Sequence, residues 1–369
     1  MFRHDDGDPH SRANAGQRAA VRRSIRSGLA CGVLATALVA AIPGMAMADE
    51  GGVGFWLPGF YGSLAAAPQQ PGWSFAEITY HTSVSAGGDV AAAREITIGR
   101  FNPTVGLNLS GNVNANATLA LGIANYTFAT PVLGGQASVG MMAVYGRNDV
   151  NLNATLTSVL GPLALIRSDS FSSTATGFGD LVPAATLRWN QGVNNFMVYA
   201  TADLPVGLYD STHLANLGIG HWAVDGGVGY TYLNPQTGHE FSATTGLTYN
   251  FINPATQYQN GVDWHLDWGA SQFVSKQVFI GAVGYIYQQI SADSGSGDRV
   301  GSFLSRVIGV GPQVGFIFPV GNMHGYLNFK AYKEFDNENR PAGWNAWATF
   351  SISLGEQAPP PAAAPLLHK

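Results

Sequence analysis

Cysteine is almost missing from this chain. The single one, Cys31, lies inside an N-terminal apolar run, so a chain cleaved after that run carries none. Disulfides and thiolate metal sites are then excluded from the rest of the protein. Charge is scarce as well. Asp, Glu, Lys and Arg make up 11% of the residues, against roughly 25% in an average soluble domain. What charge there is leans to one sign. Setting aside the six Arg and three Asp of residues 1–48 leaves 12 basic and 20 acidic residues, a net charge near −8. That balance excludes the basic surface on which nucleic-acid binding rests. Also missing, beyond the N-terminus, is any apolar run of the roughly 20 residues that a membrane helix needs.

What is present instead is alternation. From Glu240 to Phe251, the residues Phe241, Ala243, Thr245, Leu247, Tyr249 and Phe251 fall on one parity. Glu240, Ser242, Thr244, Gly246, Thr248 and Asn250 fall on the other. Period two over twelve residues marks a strand with one apolar and one polar face. A tilted strand needs about 9–11 residues to cross a bilayer. With abundant Gly and a mean hydropathy of only +0.06, the pattern predicts an all-β, antiparallel transmembrane β-barrel, apolar face to lipid and polar face to the lumen.

Twelve such segments are predicted, at 73–85, 115–130, 135–150, 178–190, 194–209, 221–234, 239–252, 261–275, 277–291, 302–319, 323–337 and 342–354. Short connections alternate with longer ones at 86–114, 151–177, 210–220, 253–260 and 292–301; the link 338–341 is a short exception. Bacterial barrels have short periplasmic turns, longer outer loops and an even strand count, which places both termini in the periplasm. The stretch 94–112 is ambiguous. Pro103 interrupts it, so it is either a loop folded inward, the preferred reading, or a hairpin that would make fourteen strands.

The ends read differently. Arg12, Arg18, Arg22, Arg23 and Arg26 precede the apolar run Gly28–Ile42, and Ala46-Met47-Ala48 is a small-residue cleavage site. Residues 1–48 are therefore predicted to be a secretory signal. Residues 49–72, with Phe55, Trp56, Phe60 and Tyr61, are predicted to be a periplasmic lead-in or a plug for the barrel at 73–354. Residues 355–369 form a Pro/Ala-rich tail predicted to be disordered.

Candidate lumen-lining residues are Glu77, His81, Asp180, Arg188, Asp203, Asp225, Glu240, Asp263, His265, Asp267, Lys330 and Glu334. Any barrel interior needs such groups for hydration, and some could also line a solute path. Fixed negative charge at Asp203, Asp225, Asp263 and Asp267 predicts that neutral aromatics pass more readily than aromatic carboxylates. Asp263, His265 and Asp267 share one strand face, but alternate residues lie nearly 7 Å apart, too far for one ion. No metal or cofactor is predicted. Asp210, Ser211 and His213 invite a hydrolase reading, but they sit in a loop of ordinary turn composition. Catalysis needs spatial adjacency, not sequence adjacency, so no enzyme activity is predicted.

Several segments are familiar together: Thr231–Glu240, Asn253–Gly261 leading to His265-Leu266-Asp267, Gly284–Gln289, Gly311–Gly315, Glu334-Phe335-Asp336 and Asn339–Gly343. Gly177–Leu181 and Leu214–Gly218 join them upstream. Over roughly 55–354 the chain resembles the family named for a meta-pathway of phenol degradation, also called SphA-like. The resemblance implies an outer-membrane barrel of a Gram-negative bacterium, accompanying catabolism of aromatic or other hydrophobic compounds. It implies a channel for passive uptake, with a small hydrophobic or aromatic solute and outer-membrane lipid as partners. It carries over no functional residues. An outer-membrane hydrolase built on a lipase-like barrel and a structural barrel without transport are the alternatives; oligomeric state stays open.

Overall fold

The computed structural model describes residues 54–87, 108–160, 163–298, 302 and 304–354. The expected signal, the tail 355–369 and residues 94–107 lie outside these. Twelve strands follow in order: β1 (Gly72–Gly87), β2 (Asn108–Thr127), β3 (Gln136–Leu160), β4 (Leu163–Gln191), β5 (Asn194–Asp203) and β6 (Ala223–Leu233). Then come β7 (His239–Asn250), β8 (Asp263–Phe273), β9 (Val278–Gln289), β10 (Arg306–Val320), β11 (Met323–Glu338) and β12 (Ala342–Ser353). Each pairs antiparallel with its sequence neighbours, and β1 closes the ring on β12 from Ser74↔Ser353 to Ser85↔Ala342. Closure leaves no unpaired strand edge in the wall, which a bilayer demands because it offers no water to unpaired backbone.

Twelve is the count in the wall. β1 pairs with β2 without interruption from Gly72↔Thr127 to Gly87↔Asn112, so no hairpin from 94–112 stands between them, and the fourteen-strand alternative is not adopted. Turn chemistry sets the short connections. Gly192 (φ 68°) and Gly321 (φ 62°) supply left-handed backbone in two-residue turns, where a side chain would be strained.

Alternation places the side chains. In β7, Phe241, Leu247 and Tyr249 are exposed while Glu240, Ser242, Thr244, Thr248 and Asn250 are buried. In β12, Trp344 and Phe350 face out and Asn345 and Trp347 face in.

Three stretches differ most from expectation, the first being β2, which begins at Asn108 rather than 115. The expected loop 151–177 instead continues β3 and β4 as one hairpin, paired out to Leu160↔Leu163. At 25 and 29 residues, these strands far exceed the roughly 9–11 that a bilayer needs. Their outer parts are rich in Asn, Ser and Thr. Alternation nonetheless continues along β3, with Val150, Leu152, Ala154 and Leu156 against Asn151, Asn153, Thr155 and Thr157, and Val150 and Leu152 are buried. β5 ends at Asp203, short of the expected 209, because Pro205 has no N–H for a ladder.

Candidate functional site

The barrel is not empty. Residues 54–71 run through it, and their path can be followed from their partners on the wall. A Cβ placed on Gly54 would lie 2.8 Å from the Tyr287 hydroxyl and 3.4 Å from Asp263 Oδ2, near the rim of the longer connections. Deeper in, the N–H groups of Gly59 and Tyr61 donate to the two oxygens of Asp267 at 2.8 and 3.2 Å. Lys330 Nζ donates to the carbonyls of Gly59, Phe60 and Tyr61 at 2.5, 2.9 and 3.1 Å, and stands 5.0 Å from the Trp347 ring centre. Ser63 meets Ser271 at 2.7 Å. Leu64 N–H donates to Glu240 at 2.9 Å and Ala66 N–H to Thr231 at 2.9 Å. At the short-turn rim, Gln69 exchanges bonds with Gln136 at 2.9 and 2.7 Å, and β1 begins.

An irregular segment leaves its backbone groups without a ladder. Each must find a partner or cost about 1–3 kcal/mol when buried. The inward polar residues of β6, β7, β8 and β11 supply many of those partners. Trp56 anchors the deep end, stacked on His265 with ring centres 3.7 Å apart and 6.0 Å from Tyr199. His265 is fully buried and shares its Nε2 with Asp225 at 2.9 Å, while Asp225 also accepts from Thr248 at 2.6 Å. Gly59, at φ 88°, passes so close that a Cβ would sit 3.0 Å from the Tyr332 ring.

The candidate residues thus fall into several groups. Asp225, Glu240, His265, Asp267 and Lys330 are inward and hold the segment or its anchor. Asp203 and Asp263 are buried on the same inner surface near the longer connections, Asp263 accepting from Asn250 at 3.0 Å. Arg188 is buried near the short-turn rim and donates to the hydroxyls of Ser138 and Thr186. Asp180 accepts Gly207 N–H on one oxygen and Ile219 N–H on the other, both at 2.7 Å. It fastens both ends of the 207–219 stretch, whose Leu214, Ala215 and Leu217 pack on β1–β4. Glu334 accepts from Tyr285 and Gly343 at 2.7 Å each, and from Asn345 at 3.4 Å.

Glu77 and His81 are not in the lumen. They share the outward parity of β1 with Trp73 and Phe75, while Ile78 and Tyr80 turn inward and are buried. Glu77 lies opposite outward Phe350, and the His81 ring lies 5.1 Å from the exposed Trp344. The expectation assumed a polar inner face throughout. On β1 the inner face is apolar, because it meets Trp347 (Tyr80 ring at 4.4 Å) and a cavity rather than bulk water.

That cavity, about 770 Å³, lies between the N-terminal segment and the wall formed by β1–β4. Tyr80, Leu119, Ile123, Met142 and Val144 give its wall an apolar character, and Phe60 and Tyr61 face it from the segment. The lumen therefore has two sides. The β6–β8 and β11 side is polar and grips the N-terminal segment; the β1–β4 side is apolar and faces open space. Sequence reasoning missed Tyr80, Leu119, Ile123, Met142 and Val144 as lining residues. The usable signal was that β1 and β2 alternate apolar residues against small or polar ones of either face.

The loop residues Asp210–His213, from which no catalysis is expected, make a local turn. Thr212 donates its N–H to Asp210 at 2.8 Å, and Asn216 bonds back to the carbonyls of Asp210 and His213.

A family model described as "Putative MetA-pathway of phenol degradation" matches residues 96–350. Among curated protein sequences, none matches. Among solved structures, the COG4313 outer membrane channel from Pseudomonas putida F1 is similar, with a TM-score of 0.53 and 11% identity, covering 78% of this chain and 98% of that one. The transport unit of the autotransporter AIDA-I from Escherichia coli gives 0.38 at 12% identity, over 79% and 92% of the two chains. A Pseudomonas aeruginosa FadL homologue gives 0.35 at 10% identity, over 84% and 98%. Only the first score is high enough to support a shared fold.

Proposed function

This chain belongs to the family described as "Putative MetA-pathway of phenol degradation", and we propose that it is an outer-membrane channel for passive uptake of hydrophobic or aromatic small molecules. The observation that carries the reading is the apolar cavity of about 770 Å³ inside a closed transmembrane ring. A volume of that size suits a ligand of a few rings. Twelve strands fall between the 8-stranded barrels filled by their own side chains and the 16–18-stranded porins with wide aqueous channels. A lumen partly filled by its own N-terminal segment supports selective passage rather than bulk flow. The resemblance to an outer membrane channel supports the barrel fold; the family's association with phenol degradation supports the solute class.

In this reading the short-turn rim faces the periplasm, where β1 begins and β12 ends. The described N-terminal segment itself starts at Gly54, near the opposite rim. Strand parity locates the start of β1, not the start of the chain. No activity as a hydrolase is proposed, because the Asp210–His213 turn gives no nucleophile–base pair.

The test is uptake of a neutral aromatic at limiting concentration, in cells lacking the gene and in the same cells with it restored. Restoration is expected to speed uptake several-fold. Equal rates for every neutral aromatic tried would sink the channel reading.

A further inference from the structure

We propose that the cavity carries a carboxylate subsite at Arg340, so that its preferred ligands are small aromatic acids rather than neutral aromatics. The proposal rests on the channel reading and names the ligand class of the same cavity.

Three charged side chains line the cavity: Asp180, Glu334 and Arg340. The two acids are engaged. Both oxygens of Asp180 accept backbone N–H groups, and both oxygens of Glu334 accept donors, as described above. Arg340 is not. It is 7% exposed, and its Nε and Nη1 are buried without any hydrogen-bond partner. No carboxylate lies within 4.0 Å of it among the described residues. Among the described residues its guanidinium carbon lies over the face of Tyr287, 4.7 Å from the ring centre. Such a contact is worth about 0.5–2 kcal/mol, whereas an unpaired buried cation costs several. A guanidinium cannot shed its proton to escape that cost. The backbone keeps it in place: Asn337 Nδ2 donates to the Arg340 carbonyl at 3.0 Å, and Pro341 follows, which biases Arg340 to extended backbone.

An incoming carboxylate supplies the missing partner. The fork of a guanidinium matches a carboxylate in two parallel hydrogen bonds. The ring of the acid would then lie on the apolar wall near Tyr80, which lines the same cavity. The acidic ring read from the sequence does not oppose this. Asp225 pairs with His265, Asp263 accepts from Asn250, and Asp267 is spent on the N-terminal segment, all on the polar side of the lumen. The expected preference for neutral solutes is thereby reversed.

The test titrates purified, folded protein in lipid nanodiscs with cinnamate and with cinnamyl alcohol at pH 7, followed by calorimetry. Wild type is expected to bind cinnamate at least tenfold more tightly than the alcohol. Arg340→Gln is expected to lose that tenfold and to keep the affinity for the alcohol. Equal wild-type affinities overturn the carboxylate subsite and leave the channel reading standing. Binding of neither compound overturns both. A cinnamate preference that survives Arg340→Gln overturns the assignment to this residue. Should Arg340→Gln fail to fold, Arg340→Lys decides. It keeps the charge and loses the fork, so cinnamate affinity should fall several-fold; an unchanged affinity overturns the proposal.

Discussion

A single carboxyl on the wrong side of a membrane wall is a sensitive probe of strand facing. Glu77 faces outward between Phe350 of β12 and Gly122 of β2, and its visible partner is the Thr79 hydroxyl at 2.9 Å. An outward acid in the apolar band costs less than the 2–4 kcal/mol found for Arg or Lys at the midplane, but it still costs. Glu77→Leu is therefore expected to stabilise the barrel by about 1–2 kcal/mol. The measurement is the temperature at which the folded band on a denaturing gel converts to the unfolded one, which should rise. A fall would mean that Glu77 is engaged in the lumen after all. The error at Glu77 and His81 shows what the sequence withholds at this scale. Parity is plain from Phe75, Glu77 and Thr79, but the side it points to depends on what fills the inside, and that comes from a distant segment.

At the scale of elements, the decisive unit is the N-terminal segment 54–71. Its composition, with Trp56, Phe60, Tyr61 and several Gly and Pro, marked it as something that packs. Its partners Asp267, Lys330, Glu240 and Gln313 lie 176 to 270 residues away in sequence, so no local pattern could pair them. Lys330 is the centre of the grip, since one ammonium satisfies three consecutive carbonyls. Removing it takes the donor from the Phe60 and Tyr61 carbonyls, at about 1–3 kcal/mol each, and leaves the Gly59 carbonyl only the Tyr332 hydroxyl at 3.3 Å. Lys330→Met is thus expected to release the segment while the ring stays folded. Single-channel conductance in planar bilayers should rise and fluctuate. Conductance matching wild type would show that the aromatic contacts of Trp56 hold the segment without Lys330. The strands themselves were legible: twelve segments of alternating residues became twelve strands. The β3–β4 extension was less so, because its Asn, Ser and Thr content mimics a loop, although Val150, Leu152, Ala154 and Leu156 keep the alternation.

The whole molecule follows from one physical demand, that every backbone group in the bilayer be paired. The ring meets it by closing β1 on β12. The lumen meets the related demand of filling its own space by dividing into a polar side that binds the N-terminal segment and an apolar side that leaves a cavity. No covalent cross-link takes part, since Cys31 is the only cysteine and precedes the expected cleavage site. Stability of the ring must then come from its ladder and packing alone. Closed ladders of this kind resist detergent until heated, because no edge exists at which unfolding can begin at low cost. The protein is accordingly expected to fractionate with outer membranes and to migrate faster unboiled than boiled on a denaturing gel. The shift should be the same with and without reductant. Recovery in the soluble periplasmic fraction would end the barrel reading. A shift that vanished under reductant would mean that the apolar run around Cys31 is retained and cross-links copies of the chain, in which case residues 1–48 are an anchor rather than a signal.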